Sequence, residues 1–203
     1  WYCSNQIRGG SMTVNTATPD YIVDGVLTDG EAWVALGTAT PDGANVTFTS
    51  TTGANDWSQY QDLVMICYAR SGGSGTWKDM TMTFNNDTTS GNYSNQDLYG
   101  DGTSVGAQLT NPAYTGLAYI AGAGSAANAF SAVIYNVFDI NSGKYTTVTT
   151  EAASSGGNPD LMWTETGFWE SQAPVTEIDL TTPSGFVSGS RVDLFGVLPR
   201  MVS

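Results

Sequence analysis

Apolar residues along this chain recur at every second position over short spans, the period of a strand with one wet face. The pattern is cleanest between Gly167 and Val197. In Thr176-Glu177-Ile178-Asp179-Leu180 apolar and acidic side chains alternate, and in Arg191-Val192-Asp193-Leu194-Phe195-Gly196-Val197 Val192 and Leu194 share one face while Arg191 and Asp193 share the other. Phe195 and Val197 fall on that second face, which predicts cover at its far end. Between the two runs stands Thr181-Thr182-Pro183-Ser184-Gly185, where Pro presets φ and Gly permits φ > 0. The stretch therefore reads as a hairpin closing a sheet, with Phe168 and Trp169 near its base.

The same reading places strands at Tyr21–Val23, Glu31–Leu36, Val46–Thr49, Leu63–Ala69, Met80–Phe84, Phe130–Ile140, Lys144–Thr150 and Leu161–Trp169. Leu63–Ala69 is apolar at every position and is expected to be covered on both faces. Met80, Met82 and Phe84 form an inward set, and Trp57 and Tyr60 are placed to cover a sheet end. Asn85–Gly106 reads as a long polar loop and Glu151–Pro159 as another loop. Tyr114–Ala129, rich in Gly and Ala, fits either a strand with a bulge or a short helix. The expected architecture is all-β, an antiparallel sandwich of jelly-roll type, with turn signals about every 8–15 residues. Residues 1–20 read as an N-terminal arm and 21–203 as the sandwich domain.

Composition agrees, since Thr, Ser, Asn and Gly dominate the polar residues and helix formers are scarce. The formal charge is −13, and Arg8, Arg70, Lys78, Lys144, Arg191 and Arg200 are scattered singly. Phosphate recognition needs clustered cations, so neither nucleic acid nor an anionic membrane is an expected partner. No apolar run reaches the length of a membrane span and no signal peptide is recognisable. The sequence given starts at Trp1. Two cysteines make no disulfide framework: Cys67 reads as a small core residue and Cys3 lies in the arm, which suits assembly in a reducing cytoplasm.

With no histidine in the sequence, the commonest general base and the commonest metal ligand are missing. No phosphate-cradling loop or dinucleotide fingerprint is present, and no catalytic, cofactor-binding or metal-binding residue is assigned. Two weaker patterns were weighed. Glu165 and Glu170, among Trp163, Phe168 and Trp169, could form the carboxylate pair of a glycoside hydrolase, or could be strand-edge acids beside core aromatics. The Asn85–Ser94 loop has oxygens enough for calcium, although Asx side chains capping their own turns account for the same residues.

The order of segments adds more. Val46-Thr47-Phe48, Tyr60-Gln61-Asp62-Leu63-Val64 and Ala69-Arg70 are followed by Met82-Thr83-Phe84-Asn85-Asn86-Asp87 and Gly91-Asn92-Tyr93-Ser94. After these come Ile134-Tyr135-Asn136, Lys144-Tyr145-Thr146-Thr147-Val148, Gly167-Phe168-Trp169, Val175-Thr176-Glu177-Ile178 and Gly189 to Val197. This succession resembles a sandwich module of virion structural proteins of tailed bacteriophages. There a strand ends in Phe before an Asn-x-Asp loop and an Asn-Tyr pair, and the module closes with Gly-x-Trp, an Ile-Thr-x-Ile-like strand and a Gly-Ser…Leu-Tyr-Gly strand. The likeness spans about Thr38 to Val197. Phe195 stands where the module has Tyr, and Asn111–Ala129 and the first twenty residues have no counterpart, so the mode of attachment is not carried over.

The resemblance implies a particle-surface protein without catalytic apparatus, and it transfers no binding residues. The expectation is a non-enzymatic capsid decoration or cement protein bound to the major capsid protein or other virion proteins. It would be assembled in the host bacterial cytoplasm, and a homotrimer is the expected oligomer. The alternatives are a tail-fibre or tailspike domain that reads host glycans through loops such as Tyr93–Tyr99, and a secreted carbohydrate-active enzyme or accessory module. The arm, anchored by Trp1 and Tyr2, is the expected attachment segment.

Overall fold

A computed structural model describes residues 22–23, 26–27, 33–154 and 160–198. The expected arm, with Trp1, Tyr2 and Cys3, lies outside the described residues. The chain is an antiparallel β-sandwich of two unequal sheets. In chain order the strands are β1 (Ile22–Val23), β2 (Val26–Leu27), β3 (Trp33–Ala39), β4 (Val46–Thr49), β5 (Asp62–Ala69), β6 (Trp77–Phe84) and β7 (Tyr93–Gly100). They continue with β8 (Val105–Thr110), β9 (Thr115–Ala121), β10 (Ser131–Phe138), β11 (Thr146–Ser154), β12 (Leu161–Trp169), β13 (Glu177–Thr181) and β14 (Arg191–Val197). The large sheet runs β3-β14-β5-β10-β11-β12-β7-β8 and the small one β4-β13-β6-β9, while β1 and β2 pair only with each other.

The core lies between the two sheets. Met80, Met82 and Phe84 of β6 are fully buried, as the alternation requires, and Trp57 and Tyr60 close one end from the short 3₁₀ turns before β5. Cys67 is a buried core side chain, its thiol pushed well up by burial and then by the nearby Asp193 charge. Asn141-Ser142-Gly143 lies in the turn between two paired strands, β10 and β11.

Four expectations are corrected. β13 and β14 are not a hairpin: β13 lies between β4 and β6 in the small sheet, and β14 between β3 and β5 in the large one. The turn residues between them carry the chain from one layer to the other, with Ser184, Gly185 and Gly189 in the left-handed region. Asn85–Gly106 is not one loop, because β7 and the start of β8 lie within it. Residues 151–154 extend β11 instead of opening a loop. β5 is covered on both faces only as far as Val64, and beyond it Ile66 and Tyr68 stand exposed on the outside of the large sheet.

Within Tyr114–Ala129 the strand alternative holds, with a bulge. Met80 pairs with Ala118 but Met82 with Thr115, so β9 carries one residue more than β6 across this span. Gly116, at φ +62, supplies the left-handed residue such a bulge needs. The segment after β9 is held by Arg70. Its guanidinium donates to the carbonyls of Ala126 (2.6 Å), Ala127 (2.7 Å), Ser125 (3.2 Å) and Ala123 (3.4 Å). These carbonyl dipoles stabilise the buried cation, with which no carboxylate is paired among the described residues.

Candidate functional site

Three places on this frame hold chemistry: the interior beneath β7 and β12, a cleft at one open end of the sandwich, and the outer face of the large sheet.

In the interior, one inward row crosses five strands in register: Tyr135, Thr150, Glu165, Asp97 and Gln108. Glu165 and Asp97 are directly opposed and both buried. Glu165 Oε2 accepts from the Leu117 N–H of β9 at 2.9 Å, and Asp97 Oδ2 accepts from Gln108 Nε2 at 2.8 Å. Burial, then the hydrogen bond to Asp97 and its charge, push the Glu165 carboxyl up to about 9, against the pull of the Leu117 and Gly116 N–H groups. With its carboxyl at about 9, Glu165 carries a proton at neutral pH directly opposite Asp97.

Around this pair Asn95 Oδ1, Asp97 Oδ1, Thr150 Oγ1 and Tyr135 Oη have no hydrogen-bond partner among the described residues. The oxygens crowd together because Gly167 has no side chain. A methyl group there would lie 2.0 Å from Thr115 Oγ1 and 2.7 Å from Asn95 Oδ1.

The carboxylate pair weighed from the sequence is not assembled. Glu165 points inward, whereas Glu170 is exposed beyond the end of β12. The partner of Glu165 is Asp97, which sequence reasoning placed in a loop. A strand assignment for β7 would have put Asp97 on the inward face, but its alternation sets polar against polar and gives no hydrophobic signal.

In the Asn85–Ser94 loop Asp87 caps its own turn, while Asn85 ties the loop to the segment that leads into β13. Asn85 Oδ1 accepts from the N–H groups of Thr176 (2.8 Å) and Glu177 (3.0 Å). The Asp87 carboxylate accepts from Thr89 N–H (2.9 Å), Asn92 Nδ2 (2.9 Å) and the Trp169 indole N–H (2.8 Å). Burial pushes the Asp87 carboxyl up, but the bonds from Trp169, Asn92 and Thr89 outweigh it and hold the group at about 2.

The cleft, of about 300 Å³, opens between β6, β9 and the β7–β8 hairpin. Trp77, Tyr99, Tyr119 and Trp163 line it together with Asp101 and Gln108. Tyr99 stacks on Trp163 at 5.2 Å and Tyr119 meets the same indole edge-on at 4.7 Å. Tyr99 can lie flat because its cross-strand neighbour is Gly106, where a methyl group would collide with the phenol at 2.4 Å. Of the residues expected to present a sugar-reading loop, Tyr93 is fully buried and Tyr99 lines this cleft.

On the outer face two rows are predominantly apolar. One crosses Tyr68, Ala132, Ala153, Met162, Gly100 and Val105, and the next crosses Ile66, Ile134, Glu151, Thr164, Leu98 and Ala107. Tyr68 and Phe130 stack at 5.1 Å at one end of the first row. Met162 is 65 % exposed at its middle, beside two shallow hollows of about 470 and 590 Å³.

No family model, curated protein or solved structure matches the chain.

Proposed function

We propose that this chain is a structural protein on the exterior of a tailed-bacteriophage particle, decorating or cementing the capsid through contacts with the major capsid protein. Its work is contact, not catalysis. The observation that carries the reading is the apolar tract on the outer face of the large sheet. Monomers rarely leave contiguous patches of this kind uncovered, and such patches mark surfaces made for association. The ordered motifs from Thr38 to Val197, which resemble the virion sandwich module, support the same reading.

The test is the composition of purified particles. Decoration requires a copy number near that of the major capsid protein, and a few copies per particle would overturn it.

A second reading, a tail-fibre or tailspike domain that binds host glycans, is favoured by the aromatic cleft. Sugar rings stack on Trp and Tyr faces, and the Asp101 and Gln108 side chains could bond their hydroxyls. Saturable binding on a glycan array, lost in Trp77→Ala and Tyr119→Ala, would establish this reading and displace the first.

A further inference from the structure

β8 borders the large sheet, and among the described residues β7 is its one partner. The hydrogen bond from Asp101 N–H to Ser104 O closes the β7–β8 hairpin and fixes the alternation along the ladder. Gly106, Gln108 and Thr110 exchange bonds with β7, so Val105, Ala107 and Leu109 turn their N–H and C=O groups to the open edge. The side chains of these same three residues stand on the outer face, with Val105 82 % and Leu109 68 % exposed.

Open edges are normally guarded by a lysine, a proline, a bulge or an inward charge, because an unguarded edge recruits another strand. β8 reads Val-Gly-Ala-Gln-Leu-Thr and has none of these, and its ladder with β7 runs without a register shift.

We infer that two copies of this chain pair β8 to β8 about a two-fold axis through Ala107. Two features select a second copy as the occupant. The first is charge. Although the chain carries −13, it has no charged residue between Asp101 and Asp139, so β8 offers no complement to a charged partner and does not repel its own copy. The second is register. An antiparallel pair centred on Ala107 sets Val105 against the copy's Leu109 and Ala107 against itself, each pair exchanging two hydrogen bonds. The apolar row through Leu98 and Ala107 then continues unbroken across the axis. The contact is two-fold, where the sequence suggests a trimer, and it stands whether or not the chain decorates a particle.

Sedimentation velocity of the full chain over a range of concentrations tests it. The expected species has twice the 21.4 kDa chain mass. Ala107→Pro removes an N–H that faces only the open edge, which a sheet border tolerates, so it should give a monomer whose thermal midpoint is little changed. The double variant Val105→Lys/Leu109→Lys should give the same monomer by placing like charges opposite each other, and it decides the matter if the proline variant does not fold. In a Cys3→Ser background, Ala107→Cys should cross-link on oxidation, because Cα atoms of a hydrogen-bonded pair lie about 5.5 Å apart. A wild-type chain that stays monomeric overturns the inference, as does a dimer that survives the lysine substitutions.

Discussion

The large sheet has two interiors. Under β5, β10 and β14 the inward side chains include Leu63, Met65, Cys67, Val133, Val137, Val192 and Leu194, apolar and almost wholly buried, with the hydroxyls of Ser131 and Tyr135 among them. Under β12, β7 and β8 the inward positions include Glu165, Asn95, Asp97 and Gln108. The first half is stabilised by apolar area removed from water, about 25 cal/mol per Å². In the second half each polar atom costs free energy unless it is partnered. The two should therefore answer to different perturbations: volume in one, protons and hydrogen-bond partners in the other.

The largest effect belongs to the apolar half. Met65→Ala should lower stability by about 2–5 kcal/mol, read by urea unfolding, and by the same amount at every pH from 6 to 9. Arg70→Leu comes next. It leaves the carbonyls of Ala126 and Ala127 without their donor, and a loss of about 3 kcal/mol is expected from the charged hydrogen bonds forfeited. A neutral result would mean that the segment after β9 is held by packing.

Glu165→Gln sharpens the contrast through pH. The carboxyl titrates at its ordinary value in the unfolded chain and at about 9 in the fold. The folded state thus holds a proton that the unfolded state releases at neutral pH. Its contribution is complete below the ordinary carboxylate range and is lost as pH rises through about 9. Glutamine stays neutral and can still donate to Asp97. Thermal midpoints of the variant and the wild type should lie close together at pH 5 and draw steadily apart as pH rises to about 9, the variant being the more stable. Parallel curves would show that the pair does not hold the proton. Asp87 acts in the opposite sense: held at about 2, it stabilises the fold above its ordinary value, and that contribution is lost as pH falls towards 2.

The smallest effect is expected from Thr150→Val. The hydroxyl is buried without a protein partner, so a methyl group of the same shape should leave stability unchanged or raise it by up to about 1 kcal/mol. A clear loss would show that Thr150 belongs to a hydrogen-bonded network with Glu165.

The same division explains what the sequence disclosed. β4, β6 and β14 are legible because apolar inward residues alternate with mainly polar outward ones. β7 is not, because Asn95 and Asp97 point inward where the pattern expects apolar residues. The Glu165–Asp97 pair was hidden with it, since cross-strand opposition leaves no trace in local spacing. Alternation also located β13 and β14 to the residue or nearly so, yet the polar, turn-forming segment between them serves a hairpin and an inter-layer crossing equally well. At β5, Ile66 and Tyr68 look like core in the sequence, but no layer of the described chain covers them.

The separation of β13 and β14 also bears on how the chain is made. β13 is the strand between β4 and β6, and β14 the strand between β3 and β5. As synthesis proceeds from the N-terminus, β3 and β4 emerge early, but each waits for a partner more than a hundred residues downstream. The small sheet cannot close before Thr181 has left the ribosome, nor the large one before Val197, and contacts this distant in sequence form slowly. The nascent chain therefore displays unpaired edges until these strands arrive, and a product that stops before β13 would lack a strand within each layer. The fold is finished only when β14 takes its place between β3 and β5, a quality check that no copy truncated before β14 can pass.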